Sequence, residues 1–146
     1  MAVVFLESVS IMTIVGFNFT KIHVERKTQA TGKVNITNNV SIKAVEESSL
    51  SLGPNKQTGL KFSFEFVTKY EPGIGEIMLN GDVLTIENEE THKLILDEWK
   101  QEEKVNKQTM TKILNHVLKK ANLEALILSR EINLPSPIPL PKVQDK

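Results

Sequence analysis

Three histidines, His23, His92 and His116, are the residues best suited to metal ligation or proton transfer near neutral pH. No two of them fall in an HxxxH or HExxH arrangement, so no local pair can share a metal ion. Each is better accounted for as a single exposed or satisfied histidine. Acidic residues crowd residues 87–103, and paired carboxylates do acid–base work when burial separates their pKa values. Lys93, Lys100 and Lys104 are interleaved with them, the pattern of a solvated, salt-bridged helix face. Gly73-Ile74-Gly75 follows a strand, but no third glycine or Lys-Ser/Thr pair completes a phosphate cradle, so a plain turn explains it better. No serine sits in a GxSxG elbow, and the absence of cysteine removes thiol catalysis, disulfides and Cys-based zinc sites together. A composite site from Glu65, His23 and Lys69 is the remaining enzymatic reading, and no spacing supports it. The expectation is a protein that is not an enzyme and uses no cofactor or metal.

Charge points the same way. Eighteen basic residues balance eighteen acidic ones, and only Arg26 and Arg130 carry a guanidinium. A neutral, Lys-dominated chain lacks both the basic footprint and the planar forks that read phosphate or guanine, so no nucleic-acid partner is expected. Residues 1–11 are apolar, yet they lack a basic start and are interrupted by Glu7. They fit neither a secretory signal nor a bilayer span. A cytoplasmic location without membrane insertion is therefore expected. Residues 1–12 are set aside as an N-terminal extension, and 13–146 form one domain, long enough to bury about 70% of its unfolded surface.

The elements that would position any site are written in the apolar pattern. In residues 60–70, Leu60, Phe62, Phe64, Phe66 and Tyr70 share one parity while Lys61, Ser63, Glu65 and Lys69 take the other. Successive strand side chains alternate between faces, so this is a strand with one buried and one wet face. A first strand over 13–26 carries Val15, Phe17 and Phe19 on one parity and Ile22 and Val24 on the opposite one. Such a slip implies a β-bulge near Thr20-Lys21. A second strand covers 33–45, with Asn38 interrupting its apolar face, and residues 46–58 read as a Ser- and Gly-Pro-containing loop. Glu71-Pro72-Gly73 should reverse the chain into a strand over 74–86, with Asn80-Gly81 as a bulge inside it.

The period then becomes helical. Residues 88–103 form a short amphipathic helix, and Asn106 caps a longer one through 130, striped by Met110, Ile113, Leu114, Val117, Leu118, Ala121, Ala125 and Leu128. Prolines at 135, 137, 139 and 141 force an extended path on the tail, 134–146. Strands followed by helices predict an α+β fold: a four-stranded antiparallel sheet, two C-terminal helices on one face, then the extended Pro-rich tail.

In this order the chain resembles the SecB-like chaperone family. Phe17-Asn18-Phe19-Thr20-Lys21-Ile22 resembles the family's opening strand, which leads into a crossover towards the second. Residues 60–70 resemble its long third strand, and 75–86 its fourth. The long helix with Ile132-Asn133-Leu134-Pro135 resembles the last helix and its extended follow-on. The resemblance spans roughly residues 13–141 and rests on element order and loose motifs. It implies a holdase that binds unfolded polypeptides without ATP through apolar grooves beside the sheet, a role in protein transport, and a homo-oligomer, dimer or tetramer. The neutral charge departs from the acidic surface of bacterial members, so hand-off to a translocation motor is less supported than holding.

Under that reading, the candidate peptide-binding residues are Phe17, Phe19 and Ile22 on the bulged strand, Leu60 and Tyr70 at the ends of the phenylalanine strand, and the adaptable Met78. The competing reading is a non-enzymatic adaptor whose tail presents Pro137, Ile138, Pro139 and Leu140 to a folded partner. Against it, the alternating apolar residues of the tail suit docking onto the body.

Overall fold

A computed structural model describes residues 12–29, 32–52 and 55–139. The elements follow as β1 (Met12–Arg26), β2 (Asn35–Leu52), β3 (Asn55–Glu71), β4 (Gly75–Glu87), α1 (Glu89–Glu102) and α2 (Lys107–Glu131). The strands form one antiparallel sheet in the order β1-β4-β3-β2, so the chain crosses from one sheet edge to the other between β1 and β2. The α+β expectation of four antiparallel strands followed by two helices holds.

Residues 60–70 of β3 and all of β4 alternate buried and more exposed positions. Leu60, Phe62, Phe64, Phe66 and Tyr70 of β3 join Ile77, Leu79 and Val83 of β4 in the core, with none more than 1% exposed. Full burial of such side chains contributes about 1.5–3 kcal/mol each. α2 lies over β4, β3 and β2, and α1 lies over β2. Asn106 caps α2 as expected, its side chain accepting from the Thr109 N–H at 2.9 Å, and Asn88 does the same for α1 through Thr91 at 2.8 Å.

The fully buried line of α2 is Thr109, Ile113, Val117, Ala121, Ala125 and Ser129, one residue in four. A four-residue repeat outruns the 3.6-residue turn by about 40° per step, so the line winds around the helix as it crosses the twisted sheet. The apolar stripe expected from the sequence therefore captures the middle of this line. It misses the polar ends, Thr109 and Ser129.

The bulge expected near Thr20 is present: Phe19 pairs with Gly81 and Lys21 with Asn80, leaving Thr20 without a counterpart. It returns Phe17, Phe19, Ile22 and Val24 to one face, each beside a buried β4 residue. Two further register shifts, at Val15 and Lys43, have no signature in the local pattern.

Two expectations fail. Residues 46–58 are not a loop, because β2 runs to Leu52 and β3 starts at Asn55 as the arms of a long hairpin. Asn80-Gly81 is not a bulge, since β4 keeps continuous register with β3 there. Gly81 is instead a point of close approach: a Cβ would meet the Asn18 carbonyl oxygen and lie 2.7 Å from the Phe64 ring.

After α2 the chain folds back. The Leu134 N–H donates to the Ser129 carbonyl at 2.8 Å, the Tyr70 hydroxyl to the Pro135 carbonyl at 2.7 Å, and Asn38 Nδ2 to the Pro137 carbonyl at 2.9 Å. Leu134 and Pro137 are buried, so the described part of the tail is docked. Leu140 and residues 1–11 lie outside the described residues. No helix among the described residues is long and apolar enough to cross a membrane.

Candidate functional site

The helices lie mainly over β4, β3 and β2, and α2 reaches β1 through Lys112 and His116. Ile14, Phe17, Phe19, Ile22 and Val24 of β1 face the same side of the sheet. Ile22 is 49% exposed and the others are half-buried. Phe17 stacks on Phe64 with ring centroids 5.3 Å apart and meets Phe19 edge to face at 5.0 Å. Phe19 also meets Phe64 edge to face at 6.2 Å. Such pairs add about 0.5–1.5 kcal/mol beyond their buried area, which holds the rings in place while leaving part of each accessible.

His116 of α2 closes the cluster, its ring 5.6 Å from Phe17. Burial pushes the imidazole below its ordinary pKa, and the charges of Lys120 and Lys119 push it further down. At neutral pH it is therefore an uncharged aromatic wall, with the two exposed lysines along its rim. The result is an apolar margin suited to non-directional contact with hydrophobic side chains.

The six candidate peptide-binding residues do not form one surface. Phe17, Phe19 and Ile22 share the β1 margin. Leu60 and Tyr70 are 0% exposed, which corrects the expectation that the two ends of the 60–70 run carry open apolar surface. Tyr70 is sealed because its hydroxyl bonds to Pro135; burial pushes its pKa up to about 12, against an opposing hydrogen bond with Ser129. Met78 pairs with His23 and Val67 on the opposite face of the sheet, away from the margin. Of the tail candidates, Pro137 is buried, Ile138 half-buried and Pro139 exposed.

The composite acid–base group does not assemble. Glu65 engages Lys43 at 3.6 Å and Asn80 at 3.4 Å, whereas His23 lies nearest to Glu76 and Glu25, at 3.6 and 3.9 Å. Among the described residues no group of three or more His, Asp or Glu could hold a metal ion. The sequence reading missed a different cluster. His92 on the first turn of α1 lies between two carboxylates, with Nδ1 2.7 Å from Glu87 Oε1 and Nε2 2.8 Å from Glu47 Oε2. Each ring nitrogen faces a carboxylate, so the protonated ring spends both N–H donors on them and offers no lone pair for general-base work. A cleft of about 560 Å³ opens near this end of the sheet, between Met12, Leu94 and the first turn of α2.

No family model, curated protein or solved structure matches this chain.

Proposed function

We propose that this protein is an ATP-independent holdase that binds non-native polypeptides along the β1 margin. The observation that carries this reading is the inward-facing row of β1: an unbroken apolar series, rich in aromatic rings, that the helices leave half-exposed. Apolar contact is non-directional, so such a row accepts many sequences. β1 is the outer strand of the sheet, and among the described residues its outward backbone edge adds hydrogen-bonding positions for an extended chain. The edge-to-edge crossover between β1 and β2 and the segment that folds back onto the sheet after α2 support the SecB-like resemblance.

The same reading makes the protein non-enzymatic, cytoplasmic and homo-oligomeric, as a dimer or tetramer, with unfolded chains as its partners. The adaptor reading has less support, because Pro137 is buried and its carbonyl is engaged by Asn38. Light scattering from a chemically denatured client diluted into buffer without nucleotide tests the function. Suppressed aggregation at stoichiometric protein is expected. Unchanged aggregation, with the protein folded by circular dichroism, would remove the proposal.

A further inference from the structure

The end of the sheet opposite the Pro-rich segment holds a polar cluster that the holdase reading does not use. Glu87 is the last residue of β4, and its side chain is 0% exposed. It accepts from the Thr85 hydroxyl at 2.8 Å through one oxygen and faces His92 Nδ1 through the other. Glu47, with a side chain 62% exposed, comes from the outer half of β2 and meets the second nitrogen of the same ring. Three elements, β2, β4 and α1, therefore meet on one imidazole. We propose that Glu47, His92 and Glu87 form a proton-operated pin, which ties the first turn of α1 and the outer half of β2 to the end of β4 and releases Glu47 when the imidazole loses a proton.

Only the imidazolium carries two N–H donors, and both are needed for two carboxylates. A neutral ring keeps one N–H and turns a lone pair toward the other carboxylate. The buried Glu87 has no water to replace its donor, whereas the exposed Glu47 does, so the remaining proton stays on Nδ1 and Glu47 lets go. Burial alone would lower the His92 pKa. Hydrogen bonds to Glu47 and Glu87, with their charges, outweigh burial and leave it above the ordinary value of 6.5.

Glu89, Glu90 and Lys93 lie on α1 itself and are exposed. Across β1 the residue paired with Glu87 is Met12, whose carbonyl binds the Lys112 amine from α2. On β3 the residue paired with Glu47 is the uncharged Leu60. Because the folded state binds the His92 proton more tightly, the pin is complete below pH 6.5 and is lost as pH rises through the raised value.

Imidazole NMR combined with amide hydrogen exchange on the intact protein tests this. His92 is expected to show two bound protons at pH 6 and a midpoint above 6.5, while His116 titrates below 6.5 in the same spectra. After correction for intrinsic rates, amide protection at residues 46–49 and 58–61 should fall between pH 6 and pH 8. The expected fall is about tenfold for each unit by which the His92 midpoint exceeds its ordinary value. Glu47→Gln, at an exposed position, should lower the midpoint and leave those amides weakly protected even at pH 6. A His92 midpoint at or below 6.5 overturns the proposal. So does pH-independent protection of these amides in the wild type.

Discussion

Both outer strands of the sheet turn a row of residues toward the helix side, yet the two rows end differently. On β1 the row is Met12, Ile14, Phe17, Phe19, Ile22 and Val24, without a polar member. On β2 it is Ile36, Asn38, Val40, Ile42, Val45 and Glu47, apolar except at two positions. Each polar position fastens a cover. Asn38 accepts from the buried Thr68 hydroxyl at 2.6 Å and donates to the Pro137 carbonyl, holding the Pro-rich segment. Glu47 reaches His92 and holds α1. No side chain of the β1 row makes such a polar attachment; its first residue, Met12, is buried with its carbonyl bound by Lys112 of α2, and Ile22 further along stays 49% exposed. Polar residues inside an apolar row thus mark where covering segments are bound; Ile36, Val40 and Ile42 of β2 are half-buried like Phe17 and Phe19 of β1, and the difference between the edges lies at Ile22, the exposed apolar member of the uninterrupted row.

The largest effect on this contrast should come from Asn38→Ala. It leaves the fully buried Thr68 hydroxyl and the Pro137 carbonyl without their partner, costing about 1–3 kcal/mol in urea denaturation. It should also convert the β2 side toward the open state of the β1 side, measurable as faster proteolysis after residue 131. If stability and proteolysis are unchanged, Asn38 is not the fastening for the tail.

A smaller loss, about 1 kcal/mol, is expected for Tyr70→Phe, which removes the hydrogen bond to Pro135. This variant carries a pH signature. An unfolded tyrosine ionises from about pH 10, whereas the folded hydroxyl resists until about 12, so the wild type should lose stability as pH rises above 10. The slope should flatten in the variant, and equal slopes would count against a sealed Tyr70.

The smallest stability effect belongs to the open side. Ile22→Ser at a half-exposed edge position should change unfolding free energy by less than about 0.5 kcal/mol. Suppression of client aggregation should nevertheless weaken. A variant that lost stability and kept full suppression would reverse the roles assigned to the two edges.

How much of this could be read in advance follows from how local each signal is. The alternation of β3, the Asn106 cap and the bulge at Thr20 are written in a few neighbouring residues, and the structure contains all three. The hairpin arms over 46–58 were not legible, because Ser, Gly and Pro favour loops in isolation and pairing between β2 and β3 overrides that preference. Leu60 and Tyr70 read as strand ends with open surface, but elements remote in sequence bury them. Tyr70 is covered by a segment 65 residues away. The His92 cluster joins groups 45 residues apart with no motif spacing, so only the folded sheet end reveals it. Phe17, Phe19 and Ile22 were legible as candidates because the parity slip at Thr20 flagged their strand. His116 was not, since its ring meets Phe17 only when α2 crosses the sheet.

Site-specific photo-crosslinking to a chemically denatured client tests the contrast most directly. A photoreactive side chain at Ile22 is compared with one at Lys43, an exposed position at a register shift on the opposite edge. Abundant client adducts are expected from Ile22 and few from Lys43, without nucleotide and with both proteins folded. Equal yields from the two edges, or a higher yield from Lys43, would contradict it.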